Sequence, residues 1–506
     1  MHNIAFLPIG PEVVALVGAV LVLMSAAALG QSRREWGVVG AITLLVAALI
    51  SVAQWMRIDA LGMGQLAFAA PESSADVMFK PMVVMDRLSA LAGVLVYLVA
   101  FLALVGNWNL VKTLGKRGAE YVALVILAAA GMHMMVISSN LILLFIGLET
   151  ASISLYVIAG FARVERNSDE SALKYFLLGS FASSLFLYGI ALVYATTGSV
   201  SIYGGGTADF GNASIVGFFN TVNIVFLDVG VLLAGIGLII VGLAFKISAA
   251  PFHQWAPDVY QGAASGSVSL MSAGIKVAAV GALIRLLLVA FATRIDDWAP
   301  IIALLAVLSI VVGTLGAIGQ RDVKRMLAYS GVAHAGFMLS GFVAGPIATP
   351  DILFYLTTYV IQLVGAFTVV AVVSGVRSGA SSLDEYKGLF ARSPRLAMMM
   401  AVFMLGMGGI PFFSGFIGKL AVFGEAIGAG YTWLVIVGLV AAVAGLFFYL
   451  RVVVTMFFEQ PAEAPGTTIA APQLSGMAGF VVYLTAGLTF LFGVAPWLLL
   501  NLLDYV

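Results

Sequence analysis

Six ionisable residues stand where an apolar chain has least use for them: Glu149, Lys174, Lys246, His253, Lys276 and Lys419. Each lies inside or beside a run of aliphatic residues long enough to cross a bilayer, and Arg87, Arg285 and Arg451 do the same. A charge near the bilayer centre costs at least about 2.5–3.5 kcal/mol, so such groups pair with one another, line an ion path or reach back to the interface. Lysine, histidine and glutamate can all take up and release a proton, whereas arginine stays charged. The chemistry these residue types offer is proton exchange. A structural salt bridge would account for one pair, but Glu149, Lys174, Lys246, Lys276 and Lys419 fall on five different segments, deep in the membrane.

The remaining polar groups have blander readings beside the functional one. Arg87 with Asp86 reads as an interfacial pair that snorkels outward, and Arg451 as a snorkeller or a partner of Glu459. Arg285 reads as a subunit contact or as part of an ion path. His133 and His334 read either as satisfied core histidines or as functional ones, and His253, beside a break in its helix, as part of a polar network.

Composition sets the class of the elements that hold these groups. Of 506 residues, 62% are hydrophobic and 9% charged, with a mean hydropathy of +1.10. That leaves too little polar surface to cover a soluble domain of this length. There is no cysteine, which excludes disulfides, thiolate-bound zinc and cysteine-ligated iron–sulfur clusters, and the four histidines are widely separated. No cofactor is expected to bind this chain. A net charge of zero argues against nucleic acid.

Cut at its polar breaks into stretches of about 20 residues, the chain reads as fourteen membrane segments: 11–30, 36–56, 81–106, 120–137, 140–162, 170–196, 223–250, 264–291, 297–318, 323–345, 351–375, 394–427, 431–457 and 475–500. The first is not a signal peptide, because no basic region precedes it. With the N-terminus outside, the inner loops hold fourteen of the twenty-four Lys and Arg residues, the outer loops hold Arg57, Lys80 and Arg294, and seven lie within the membrane. Short cytoplasmic loops collect basic residues, so this asymmetry predicts both termini outside. The loop 198–220, rich in glycine and without a base, fits an outer position.

Two segments carry a proline next to a lysine. Pro251 predicts a helix break just after Lys246, and Pro411, after Gly408 and Gly409, predicts one just before Lys419. Broken membrane helices persist only where protein or a water-filled cavity surrounds them. The breaks fall in the seventh and twelfth segments, five apart, as two copies of a five-helix unit would place them. An odd number of crossings inverts the second copy. The expected organisation is one all-α, polytopic membrane domain: residues 1–118 as three leading helices, 119–292 and 293–458 as inverted five-helix repeats, and 459–506 as a last helix.

The motifs resemble a known family. Gly147-Leu-Glu149-Thr-Ala-Ser152-Ile-Ser-Leu-Tyr156, Ser171-Ala-Leu-Lys174 through Gly189, and Lys246 through Pro251-Phe-His253-Gln-Trp255-Ala-Pro257-Asp258-Val-Tyr260-Gln-Gly262 are similar to NADH-quinone oxidoreductase subunit N, whose mitochondrial counterpart is NADH dehydrogenase subunit 2. Gln320 through Ser330 with His334, and Leu383 through Leu389 with Gly409-Ile-Pro411, extend the likeness in order from about the third segment to the thirteenth. Two departures stand out. After Gly262 the family has a Pro-Thr-Pro element and a proline before its segment-eight lysine, where this chain has Ala263 to Ser267 and Ile275; the family also tends to have two prolines where Pro411-Phe412 stands. Both changes remove helix constraints near Lys276 and Lys419.

The resemblance implies a proton-translocating subunit in the membrane arm of respiratory complex I, in a bacterial cytoplasmic membrane. It implies no redox centre in the chain, with NADH, FMN, iron–sulfur clusters and quinone held by other subunits. Subunit M and the small subunits K and J would be its neighbours. Carried over residue by residue, Glu149 would tune Lys246, Lys174 would be a further basic relay group, Lys276 the central relay and Lys419 the terminal group, with His253 bridging. A subunit of a related cation/proton antiporter or membrane-bound hydrogenase complex is the rival within the superfamily, and a non-pumping structural spacer is the rival outside it.

Overall fold

The computed structural model describes residues 7–29, 35–61, 65–67, 82–161, 166–203, 214–221, 229–375, 381–460 and 472–504. Lys80 of the outer loops, and Arg33, Arg34, Arg163 and Arg377 among the fourteen inner-loop bases, lie outside the described residues, as does most of the glycine-rich stretch of loop 198–220.

Three leading helices, α1 (Gly10–Leu29), α2 (Glu35–Leu61) and α3 (Arg87–Gly106), precede the short α4 (Trp108–Thr113). Then come α5 (Gly118–Ile137), α6 (Leu141–Ala159), α7 (Arg166–Thr197), the short α8 (Ile215–Thr221), α9 (Val229–Ile247), α10 (Trp255–Gly262) and α11 (Ser265–Leu283). The last of these continues as seven π-helical residues, Ile284–Ala290. The chain goes on through α12 (Ile295–Ile318), α13 (Val323–Phe342), α14 (Thr349–Ser374), α15 (Leu389–Arg392), α16 (Pro394–Gly408), α17 (Ser414–Gly428), α18 (Thr432–Phe458), α19 (Gly476–Val494) and α20 (Trp497–Leu503). A small hairpin departs from the all-helical expectation: Gln65–Ala67 pairs antiparallel with Val83–Met85 before α3.

Among the described residues, twelve helices are long and apolar enough to cross a membrane. They coincide with twelve of the fourteen expected segments. The tenth segment corresponds to the 20-residue α13, and the twelfth is divided into α16 and α17. Local chemistry sets several starts. Asp86 and Ser89 form a capping box on α3, and Asn140, Asp322 and Ser475 cap α6, α13 and α19 through their side chains.

Both expected breaks are present. α9 stops at Ile247, Ser248 takes a positive φ of 62°, and the helix resumes at Trp255. The freed groups find partners: Trp255 Nε1 donates to Phe245 O at 3.0 Å, and the Ala250 amide donates to Ser309 Oγ at 2.8 Å. α16 stops at Gly408, followed by Gly409 at φ 82°, and α17 begins at Ser414.

Glycine allows the tightest crossings. A Cβ on Gly131 of α5 would stand 2.5 Å from the Ala151 amide of α6, and one on Gly313 of α12 would stand 2.3 Å from the Ala333 amide of α13. Without side chains the two backbones of each pair approach directly, the usual basis of close helix association in lipid.

Two expected pairings of arginine are corrected, and a third arginine finds a partner that was not expected. Arg87 does not pair with Asp86 but with Asp59, at 3.0 Å. Asp86 is instead gripped by Arg285, whose Nη1 and Nη2 each donate to one carboxylate oxygen at 2.9 Å. Arg285 is fully buried and also donates to Val136 O and Tyr203 Oη, so it is a structural clamp between α3, α5 and the π-helical turn. Arg451 does not reach Glu459; it donates to the carbonyls of Ile318 and Gln320, while Glu459 faces Lys387. For Arg87 and Arg451 the packing of the helices brings a partner other than the one close in sequence. His133 is fully buried, pairs through Nδ1 with Glu12 and lies 2.9 Å through Nε2 from Ser89 O, an acceptor, so Nε2 donates.

Candidate functional site

Lys246, Lys276 and Lys419 are 1%, 1% and 7% exposed. An ammonium has three N–H donors and no acceptor, so burial obliges it to find oxygen. Lys246, in the last turn of α9, donates to Ser152 Oγ at 2.7 Å and Tyr156 Oη at 3.3 Å on α6, and lies 5.5 Å from the Tyr156 ring centroid. Lys276 reaches out of the fully buried α11 to Ile247 O at 2.7 Å, the carbonyl at which α9 ends, and to Gly331 O of α13 at 2.9 Å. Lys419 in α17 turns back to Met407 O at 3.0 Å and Gly408 O at 3.1 Å, at the end of α16. Two of the three lysines are therefore held by the carbonyls that the helix breaks release. The carboxyl end of a helix carries a partial negative charge, so these carbonyls suit a cation.

Between Lys276 and Lys419 lies a polar aromatic cluster. His334 of α13 stacks on Tyr359 with ring centroids 4.3 Å apart, and the Tyr359 ring is 5.9 Å from Lys276 Nζ. Tyr355 Oη meets His334 Nδ1 at 2.9 Å, and Tyr449 Oη of α18 meets His334 Nε2 at 3.0 Å while also bonding the Ser330 hydroxyl. On the far side Phe337 packs edge-on to His334 and lies 5.0 Å from Lys419 Nζ. Hydroxyl and imidazole groups both donate and accept, so the cluster is chemically able to pass a proton.

Glu149 lies on α6 one turn before Ser152. It is half-buried, with Oε1 enclosed and unpartnered, and it forms no ion pair with Lys246 among the described residues. The groups of α6 that touch Lys246 are the Ser152 and Tyr156 hydroxyls, not the Glu149 carboxylate. Lys174 departs further from expectation. It is not deep: its side chain is 43% exposed near the start of α7, paired with Glu170 at 2.7 Å and Asp258 at 3.0 Å. Asp258 also binds Arg325 at 2.5 Å. This places Lys174 in a solvent-exposed ion cluster in the third turn of α7, just before the longer apolar run of that helix begins. His253 sits in the first break, facing Tyr329 at 6.1 Å between centroids, and hydrogen-bonds no other side chain among the described residues.

The hydroxyl partners Ser152 and Tyr156 belong to the Gly147–Tyr156 motif, and His334 is the histidine whose sequence reading stands between core and function. Tyr355 and Tyr359, one turn apart on α14, and Tyr449 were missed. The i, i+4 spacing of the two tyrosines in an otherwise apolar helix was the available signal.

The family described as NADH:quinone oxidoreductase/Mrp antiporter, transmembrane region, matches residues 138–445. The chain is 43% identical to NADH-quinone oxidoreductase subunit N of a Parafrankia species over 76% of its own length and 70% of the relative's. It is 37% identical to subunit N of Parvibaculum lavamentivorans over 93% of both chains. The chain belongs to the subunit N family. A solved chain of respiratory complex I from Thermus thermophilus superposes on it with a TM-score of 0.77 at 30% identity, covering 97% of this chain and 98% of that one. The match to subunit N spans the leading helices as well as both breaks, so the whole fold, and not the lysine-bearing core alone, is shared with this family. Among the described residues no group of three His, Cys, Asp or Glu is placed to hold a metal ion.

Proposed function

We propose that Lys246, Lys276 and Lys419, with the Tyr355, Tyr359, Tyr449 and His334 cluster between the last two, form the proton path of this subunit. The observation that carries the reading is that Lys276 and Lys419 are buried against neutral backbone carbonyls, three of the four at helix breaks, and have no carboxylate within ion-pair distance among the described residues. Such a cation is held only by dipoles, so the arrival or departure of a charge nearby changes the balance between ammonium and neutral amine. Glu149 supplies such a charge near Lys246 without locking it in a salt bridge, and Lys174 serves with Asp258 and Arg325 in the exposed ion cluster.

In this reading the chain is a subunit of a proton-translocating NADH:quinone oxidoreductase, and quinone reduction elsewhere in the complex drives the transfer. NADH, FMN, iron–sulfur clusters and quinone belong to other subunits, and subunit M with the small subunits K and J are the neighbours. It resides in the bacterial cytoplasmic membrane with both termini outside. The equivalent glycine crossings α5–α6 and α12–α13, and the equivalent breaks, support residues 119–292 and 293–458 as two copies of one unit.

The test is proton uptake and quinone reductase activity in membranes carrying Lys246→Met, Lys276→Met or Lys419→Met, normalised to assembled complex. Each variant is expected to lose most of both activities. Full pumping in Lys246→Met at normal abundance would instead make the subunit a structural spacer.

A further inference from the structure

Far from the lysines, two spanning helices begin beside each other. α16 starts at Pro394 and α19 at Gly476, and between their first turns lies a groove of about 730 Å³ whose lining includes Arg392, Arg395, Met398, Ser475, Phe480 and Tyr483. The amides of a helix's first turn have no acceptor within the helix and form its positive end. Ser393, the cap of α16, makes no side-chain bond to them, and Ser475 caps only the Ala478 amide of α19. Anions seat well at such ends.

Two guanidinium groups add to this positive rim. Arg392 is braced by its Nη2, which donates to the carbonyls of Glu385 at 2.7 Å and Lys387 at 3.0 Å, while its Nε is buried and unpartnered. Arg395 is exposed; the Glu385 carboxylate acts on Arg392 electrostatically, but no carboxylate among the described residues is within ion-pair distance of either arginine. One turn deeper the lining changes character: Met398, Phe480 and Tyr483 are 44%, 51% and 44% exposed. A positive rim at the start of two membrane spans, with an apolar wall directly beneath it, matches a molecule that is anionic at one end and hydrocarbon at the other. A soluble anion would use only the rim. A zwitterionic headgroup would bring a second cation against two arginines.

We propose that the α16–α19 groove binds an anionic phospholipid. Its phosphate lies between Arg392, Arg395 and the two helix starts, and its acyl chains run along Met398, Phe480 and Tyr483. This site is independent of the proton path and stands or falls without it.

The experiment uses the intact purified complex with a phosphatidylglycerol carrying a photoreactive diazirine near its headgroup. Label is expected on peptides containing residues 392–398 and 474–483. Unlabelled phosphatidylglycerol vesicles should compete at least about fivefold better than phosphatidylcholine vesicles, and millimolar inorganic phosphate should not compete. Arg392→Gln with Arg395→Gln should lower labelling about tenfold, as expected for the loss of charge-assisted bonds to phosphate, with complex abundance and quinone reductase activity retained. Equal competition by both lipids would reduce the groove to ordinary lipid contact, and displacement by inorganic phosphate would make it a soluble-anion site. Absence of label from these peptides in the intact complex would assign the groove to a neighbouring subunit. Each of these results overturns the proposal, and the competition arms decide it even if the double variant fails to assemble.

Discussion

Lys276 and Ile247, on different helices, meet at 2.7 Å, the ammonium of α11 closing the carbonyl end of α9. The residue that ends the first half of the broken helix thus follows Lys246 directly and also binds the central lysine. Lys246 and Lys276 therefore converge on the same interrupted end of α9, one as part of it and one as the donor to its last carbonyl.

Lys276→Arg should assemble but fail to restore pumping. Guanidinium can donate to the same two carbonyls, yet it is effectively never deprotonated. Proton uptake and quinone reductase activity per assembled complex are the measurements, and full activity in this variant would remove Lys276 from the relay.

Glu149→Gln should keep the complex abundant while lowering coupled proton transfer several-fold, and Glu149→Asp should do less harm. The amide keeps the shape of the side chain and removes the charge near Lys246. Wild-type rates of both quinone reduction and pumping in the Gln variant would exclude the role.

Gly179→Ala tests the Lys246 end from outside. A Cβ there would stand 2.0 Å from Tyr156 Oη and 2.6 Å from its Cζ, so the tyrosine ring must move. Overpacking of this kind costs about 1–3 kcal/mol. The expected result is a modest loss of thermal stability with a larger loss of pumping; Tyr156→Phe, which removes only the hydroxyl, should reproduce the second effect without the first.

Gly409→Ala acts at the other end. Gly409 has φ 82°, where a side chain costs about 1–2 kcal/mol, and the new Cβ would lie 3.0 Å from Lys419 Nζ. Reduced proton uptake at near-normal complex abundance is expected, whereas unaltered uptake would show that Lys419 need not touch the break carbonyls.

Asp86→Asn should destabilise the assembled complex by about 3–5 kcal/mol, because it leaves the buried Arg285 cation without its counter-charge. Adding Arg285→Met should restore much of that loss. The readouts are thermal denaturation and abundance of the complex, and pumping per surviving complex should change little, since the pair lies outside the lysine path.

Much of this molecule is written locally. Hydropathy over about 20 residues marks the spans, Pro251 and Pro411 mark the breaks through their missing amide donor, and six chemical groups stand out against apolar surroundings. Those properties depend on a residue and its near neighbours, so the sequence alone determined them, together with the family. Partnership is different. Asp86 meets Arg285 across 199 positions and Ser152 meets Lys246 across 94, and only the packing of helices on their glycine surfaces decides which donor faces which acceptor. For the same reason Lys246 meets hydroxyls, Lys276 and Lys419 meet backbone carbonyls, and Lys174 lies in an exposed ion cluster. A broken helix offers bare carbonyls at a point in space that no linear pattern specifies, and a buried ammonium binds whichever oxygen the fold brings within reach.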